Sequence, residues 1–307
     1  SETARRFWSA QLQDATVSRL PCWPKRVCEG GHEQKRGPEV AIPREVANGL
    51  RRLAQTAGVP LKTVLLAAHQ RVMGFLYGQD DVVTGLVCNG RPENVDGERL
   101  IGLFLNTLPF RLALKPGVNW LSLVGEVFAV VRDIIPHRRF PLAEIQKQNG
   151  PVFESAFDFV HFHVFSELKV SANLGFREGH YFEANNLATY TTFMLDSTSS
   201  ELSLHIDYDP TLIPMELVEH ITAYYENTLQ AMASDPHAEY LSFSPMPHGE
   251  QRELIEVWNA TLEPLPESAS LFALFEAQVR NHPDAIALVC DDEEFSYAEV
   301  NERACGI

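Results

Sequence analysis

The sequence contains no cysteines at metal-type spacing. Cys22, Cys28, Cys88, Cys290 and Cys305 are an odd number, scattered without a CxxC pair. A zinc-binding cysteine cluster and a disulfide framework are therefore both poor readings, and structural or incidental thiols are the default. Positive charge is scarce as well. Lys+Arg 25 against Asp+Glu 41 gives a formal net charge of -16, which repels phosphate backbones and anionic lipid headgroups. Nucleic acid and a membrane surface are accordingly not expected as partners. No stretch is apolar enough to span a bilayer, because the most apolar helical segment, Leu61 to Tyr77, carries Lys62, His69, Gln70 and Arg71. No N-terminal segment resembles a signal peptide, and with the unpaired thiols this points to a reducing, cytoplasmic setting. Internal repeats and low-complexity tracts are also missing.

What remains is the balance of a globular chain, 45% hydrophobic and 21% charged, with the length of one large domain or two ordinary ones. It opens on "ETARRFWSAQL", which sets Ala4, Phe7, Trp8 and Leu12 on one helical face with no leader before it, and reads as a start inside a larger polypeptide. After a loop rich in Pro, Gly and charge, "PREVANGLRRLAQTAG" predicts a helix from Pro43 to Gly58. A second helix, Leu61 to Tyr77, is closed by Gly78. "DDVVTGLVCNGRP" predicts a strand running into a turn, Trp120 to Ile135 an amphipathic helix stopped by Pro136, and "FPLAEIQKQ" a short helix opened by Pro141.

"FESAFDFVHFHVF" alternates Phe157, Phe159, His161, His163 and Phe165 against Asp158, Val160, Phe162 and Val164. Apolar bulk on both faces predicts a central, buried strand. Strands near Ala188 to Leu195 and Glu201 to Asp209, joined by "DSTSS", predict a hairpin, and a long helix follows from Pro214 to Ala233. This mixture of crossovers and hairpins predicts an α/β fold, a mixed sheet layered by helices. Residues 241–269 have linker composition, and 270–307 begin a helix, strand, turn and helix too short to bury a core of their own.

The run "IGLFLNTLPFRL", Ile101 to Leu112, sets a single amide, Asn106, in an apolar stretch before the pattern switches to Leu108, Phe110 and Leu112 against Pro109, Arg111 and Ala113. A loop or crossing segment leading into a half-buried strand is the reading of that change. The same run closely resembles the segment IGxFxNTLPxR of condensation domains of nonribosomal peptide synthetases. "RFWSAQL", "DDVVTGLVCNGRP", "HRRFPLAEIQ", "GPVFESAFDF" and "LSLHIDYDP" agree with that family in order and spacing. "EVWNAT", "LFEAQVRNHPDAIAL" and "FSYAEVN" resemble the junction into an adenylation domain.

The resemblance implies one lobe of a chloramphenicol acetyltransferase-like fold over residues 1–240, then the linker 241–269, then the first residues of an adenylation domain over 270–307. It also implies a tunnel between two lobes, reached from opposite ends by carrier proteins whose phosphopantetheine arms hold the thioesters. The partners expected are the first lobe of the condensation domain, upstream and downstream carrier proteins and the adjacent adenylation domain. The family's HHxxxDG motif belongs to the first lobe and is absent from these 307 residues, as is the Gly-rich phosphate loop that ATP chemistry needs. No catalytic residue is therefore assigned, and the chain by itself is expected to be inactive.

Six residues are candidates for the site. Asn106 is read either as a cap on backbone groups or as part of the tunnel wall. His161 aligns where the family often has a tunnel-lining amide, the alternative being a satisfied core histidine, and His163 follows two residues on. A metal pair lacks a third ligand. Arg138 and Arg139, in "HRRFPL", are candidates for phosphates of the carrier arm or for complementing a helix C-terminus. Arg111 is a candidate for an acidic carrier surface or an ordinary solvated charge. The leading function is peptide-bond formation between carrier-bound thioesters. A noncatalytic platform for carrier protein and adenylation domain is the alternative, and an epimerisation or heterocyclisation relative comes third.

Overall fold

The computed structural model describes residues 2–20, 35–93, 96–162, 186–196, 199–261, 270–291 and 293–306. These form two compact units, Ser1–His248 and Gly249–Ile307. The first comprises α1 (Glu2–Gln11), β1 (Lys35–Arg36), β2 (Val40–Ala41), α2 (Arg44–Ala57), α3 (Leu61–Tyr77), β3 (Asp81–Asn89), β4 (Leu105–Ala113), α4 (Trp120–Ile134), α5 (Leu142–Asn149), β5 (Ser155–Phe162), β6 (Thr189–Asp196), β7 (Leu202–Tyr208) and α6 (Met215–Ser234).

The expected helix ends hold for local reasons. Pro43 and Pro60 precede α2 and α3, where a fixed φ and a missing N–H cost nothing. Gly58 and Gly78 close them in left-handed conformations, φ 65 and 64, which only glycine adopts without strain. The side chain of Asn119 accepts from Ser122 N–H and starts α4.

The sheet of the first unit runs β1-β7-β6-β5-β3-β4, with β2 also on β7. β5 pairs in parallel with β3 and β6, whereas β3–β4 and β6–β7 are antiparallel. One face, bearing Leu86, Leu108, Phe110, Phe157, Phe193, Leu204 and Ile206, is buried in a continuous core with residues of α2, α3, α4 and α6. The alternation in β4 holds in part: Leu108, Phe110 and Leu112 are buried and Ala113 is exposed, but Pro109 is buried as well and Arg111 is half-buried, so the expected outward face is partly covered. Helices α2 and α6 approach so closely that a Cβ on Gly49 would sit 2.6 Å from Ala233 Cβ, which explains a glycine in a helix interior.

The expectation for β5 needs one correction. The strand is central, but burial holds only through Ser155, Ala156 and Phe157; Asp158, Phe159 and Val160 are half-buried and His161 is exposed. Apolar alternation cannot reveal where a neighbouring strand stops covering it. Past α6 the chain stays packed on the first unit beyond Leu241: Tyr240 is fully buried, and Phe243 and Met246 pack against the core.

The second unit contains α8 (Leu271–Asn281), β8 (Ile286–Cys290), β9 (Glu293–Ser296) and α9 (Tyr297–Cys305); α7 (His248–Arg252) precedes them. β8 and β9 form an antiparallel pair, and Ser296 with Glu299 makes a capping box at α9. None of its described residues is buried.

Candidate functional site

Three of the candidate residues meet where β3 ends and β4 begins. Asn106, opposite Cys88 in the β3–β4 ladder, donates from Nδ2 to the carbonyls of Arg138 at 3.0 Å and Phe140 at 2.8 Å. Arg138 donates from Nε to Asn89 O at 3.1 Å and from Nη1 to Ile135 O at 3.0 Å, and pairs with Glu93 at 2.5 Å. Its side chain is only 15% exposed. Arg139 donates from Nε to Gly90 O at 2.8 Å. Arg91 reaches the carbonyls of Gly97 and Leu100 and lies 4.4 Å from the Phe104 ring centroid. The "NGRP" turn, the start of β4 and the turn after α4 are thus tied together by one amide and three guanidinium groups.

The amide of Asn106 is spent on two backbone carbonyls, which is the capping role. A substitution separates chemistry from shape here. Asn106→Ala removes two hydrogen bonds to half-buried carbonyls and is expected to cost about 1–3 kcal/mol. Asn106→Asp keeps the shape but sets a carboxylate against two carbonyl oxygens, so its urea unfolding midpoint should fall below that of Asn106→Ala.

Arg111 is not at this edge. It lies five residues along β4 from Asn106, roughly 17 Å at strand rise. Its Nε and Nη2 hold Asp81 bidentately, both at 2.8 Å, and Nη1 donates to Gln11 O at 3.2 Å and Gln13 O at 2.7 Å. The hydrogen bond to Asp81 is the main reason its pKa is raised. The reading as an ordinary solvated charge is corrected: Arg111 is a strut joining α1 to the β3–β4 hairpin, with a side chain 23% exposed. Its partners lie far away in the sequence, so local periodicity carried no sign of them.

His161 is exposed at the end of β5, its ring centroid 6.5 Å from that of Phe159. The alternative of a core histidine is thereby corrected. His163 lies outside the described residues. Cys88, half-buried, has its thiol pKa raised, burial outweighing the opposing pull of Lys62 and Arg138, so it is held as the protonated thiol rather than as a nucleophile. Among the described residues no group of His, Cys, Asp or Glu could hold a metal ion, and no helix is long and apolar enough to cross a membrane.

A mixed sheet with helices on its core face defines the class: one lobe of a chloramphenicol acetyltransferase-like fold. Solved structures agree. The chain is similar to a four-domain nonribosomal peptide synthetase bound to AMP and glycine, at TM-score 0.69 and 17% identity, covering 100% of this chain and 25% of that one. It is also similar to the condensation domain of the monacolin K polyketide synthase MokA, at TM-score 0.65 and 17% identity, covering 78% of this chain and 58% of that one.

In sequence, the chain is 34% identical over 233 residues to the AMB antimetabolite synthetase AmbE of Pseudomonas aeruginosa, covering 75% of this chain and 10% of the relative. It is 28% identical over 309 residues to the malpibaldin synthetase of Mortierella alpina, covering 97% of this chain and 5% of that synthetase. A linear gramicidin synthase polypeptide of Brevibacillus parabrevis is 29% identical over 288 residues, covering 89% of this chain and 4% of that polypeptide. The chain therefore spans at most a tenth of the length of any of these three relatives. The family model described as Condensation domain matches residues 1–255. The chain belongs to the condensation domain family of nonribosomal peptide synthetases.

Proposed function

We propose that this chain supplies one lobe of a condensation domain that joins two carrier-bound thioesters through a peptide bond. The observation that carries the reading is the family match over residues 1–255 in a sequence without an HHxxxDG motif. The motif then comes from a partner lobe, in the same polypeptide or a separate one, and handles protons there. The wall provided here contributes by holding amine and thioester in attack geometry, an effect that reaches about 7–11 kcal/mol in favourable cases.

The substrates arrive on the phosphopantetheine arms of upstream and downstream carrier proteins in the cytoplasm. Residues 270–307 begin an adenylation domain, a reading supported by the malpibaldin synthetase, whose alignment extends over 97% of this chain. Among the three arginine candidates, Arg139 is the exposed one and the best placed to meet a carrier arm, while Arg111 and Arg138 are taken up internally.

Titration calorimetry tests the reading. A separately expressed HHxxxDG lobe should bind this chain at one to one, and the complex should turn over two loaded carriers. Binding of a carrier or adenylation domain with no turnover in the reconstituted complex would favour a noncatalytic platform instead.

A further inference from the structure

Three hydroxyl residues form a row across the core face of the sheet. Thr84 of β3, Ser155 of β5 and Thr189 of β6 lie on the same face as Leu86, Phe157 and Phe193, and all three are buried. Thr84 and Ser155 each stand one residue before the paired Gly85 and Ala156, so they are neighbours on strands about 4.8 Å apart. Ser155 is in turn paired with Thr189. An apolar core face carries such a row only if its hydroxyl groups find partners.

Helix α3 packs over β3 and β5 and brings two more polar side chains to the row. Gln70 and Tyr77 are seven residues apart, close to two full turns, and therefore project from the same side of the helix. Part of the cluster closes on itself. Gln70 Nε2 donates to Thr84 Oγ1 at 2.7 Å, and Thr189 Oγ1 donates to Ser155 Oγ at 2.7 Å. Two shielded atoms are left over among the described residues: Gln70 Oε1 and the Tyr77 hydroxyl have no partner. Ser155 acts on the Tyr77 phenol, lowering its pKa against the larger rise from burial, yet no hydrogen bond of ordinary geometry joins the two. The phenol keeps its proton, and each orphan bears its desolvation cost in full.

The leftover groups specify what would satisfy them. Gln70 Oε1 only accepts, the Tyr77 hydroxyl donates and accepts, and Ser155 Oγ, which already accepts from Thr189, has its own proton to give. An anion is refused by the amide oxygen, and a metal cation would find no carboxylate, imidazole or thiolate among these three. Water has two donors and two acceptors and matches all of them.

We propose that the core of the first unit holds an internal water between α3, β3 and β5, donating to Gln70 Oε1 and accepting from the Tyr77 and Ser155 hydroxyls. It is a structural ligand of the lobe, and it stands whether or not the chain forms peptide bonds. Its place gives it a task. The β3–β5 ladder pairs only Gly85 with Ala156 and Leu86 with Phe157, so the two strands need ties from above. Lys62, at the start of α3, supplies one by donating from Nζ to Val87 O at 3.0 Å, Gln70 supplies a second through Thr84, and the water supplies a third to β5.

Tyr77→Phe deletes the hydroxyl and nothing else. With the water as its partner, this change should lower the folding equilibrium constant about fivefold, the loss of one hydrogen bond, and lower the urea midpoint accordingly. Without a partner, deletion of an orphaned hydroxyl should leave the midpoint unchanged or raise it. Gln70→Leu removes the other anchor. Because one water serves both, the double variant should lose less than the sum of the two single losses, although the two side chains make no hydrogen bond to each other. A crystal structure of the 307-residue chain should show a water within hydrogen-bond distance of Gln70 Oε1 and Tyr77 Oη. An unchanged or raised midpoint in Tyr77→Phe, strictly additive losses, or density showing Tyr77 bonded directly to Ser155 with no water would each overturn the proposal.

Discussion

Replacing Arg71 by Met should lower the stability of the first unit by about 3–6 kcal/mol, from two hydrogen bonds to a charged group at roughly 1.5–3 kcal/mol each. Arg71 lies in α3, 5% exposed, and donates from Nε to Tyr240 O at 3.0 Å and from Nη2 to Phe243 O at 2.6 Å. Its pKa is lowered chiefly by burial, with Tyr240 and Asp80 acting in the opposite sense. Met fills much of the same volume but donates nothing, so two carbonyls lose their partner. Arg71→Lys should recover less than half the loss, because one ammonium cannot reproduce the fork. Urea unfolding followed by tryptophan emission reports the event directly: the Trp120 ring lies 5.8 Å from Tyr240 and 6.2 Å from Phe243, centroid to centroid. An unchanged midpoint in Arg71→Met would mean that the segment after α6 is held by apolar packing alone.

Acid should weaken the protein through His69. This histidine is fully buried in α3, with Nδ1 at 2.7 Å from the Tyr225 hydroxyl, which is itself 3.3 Å from Thr191 Oγ1. Burial lowers its pKa from 6.5 to about 3. In the unfolded chain the ring takes up a proton near pH 6.5, while in the folded chain it stays neutral until about pH 3. Its full contribution is therefore present above pH 6.5 and is lost on acidification at about 1.4 kcal/mol per pH unit until the folded value is reached.

His69→Gln retains hydrogen-bonding groups for Tyr225 and removes the titration. The stability advantage of the native chain over this variant should shrink by roughly 2 kcal/mol between pH 6.5 and about pH 5, with the carboxylate contributions cancelling in the difference. A difference that does not change with pH would contradict the neutral, buried assignment.

These two residues mark where sequence reasoning stops. Helices α2 and α3 were legible to the residue because proline and glycine punctuate them by local stereochemistry. β4 was legible from its switch to a two-residue apolar period, and the β6–β7 hairpin from the polar run "DSTSS" between two strand-like segments. The partners of Arg71, Arg111 and Asn106 were not legible, because each reaches backbone carbonyls brought near only by the assembled sheet and helices.

The family was readable from linked motifs, and the site only in part. Asn106 and the two arginines of "HRRFPL" do converge, yet on backbone carbonyls and an acidic neighbour. Lys62 served only as a charge arguing against a membrane span. Its approach to Val87 depends on where the β3–β5 ladder ends, and no local pattern encodes that.

The central claim is that these residues form one wall of a two-lobed catalytic centre. Single-turnover mass spectrometry of two loaded carrier proteins tests it most directly, comparing this chain alone, the HHxxxDG lobe alone and the two together. The account predicts an amide product only in the combined mixture. Product from this chain alone, or none from the combined mixture once binding of the two lobes has been verified, would contradict it.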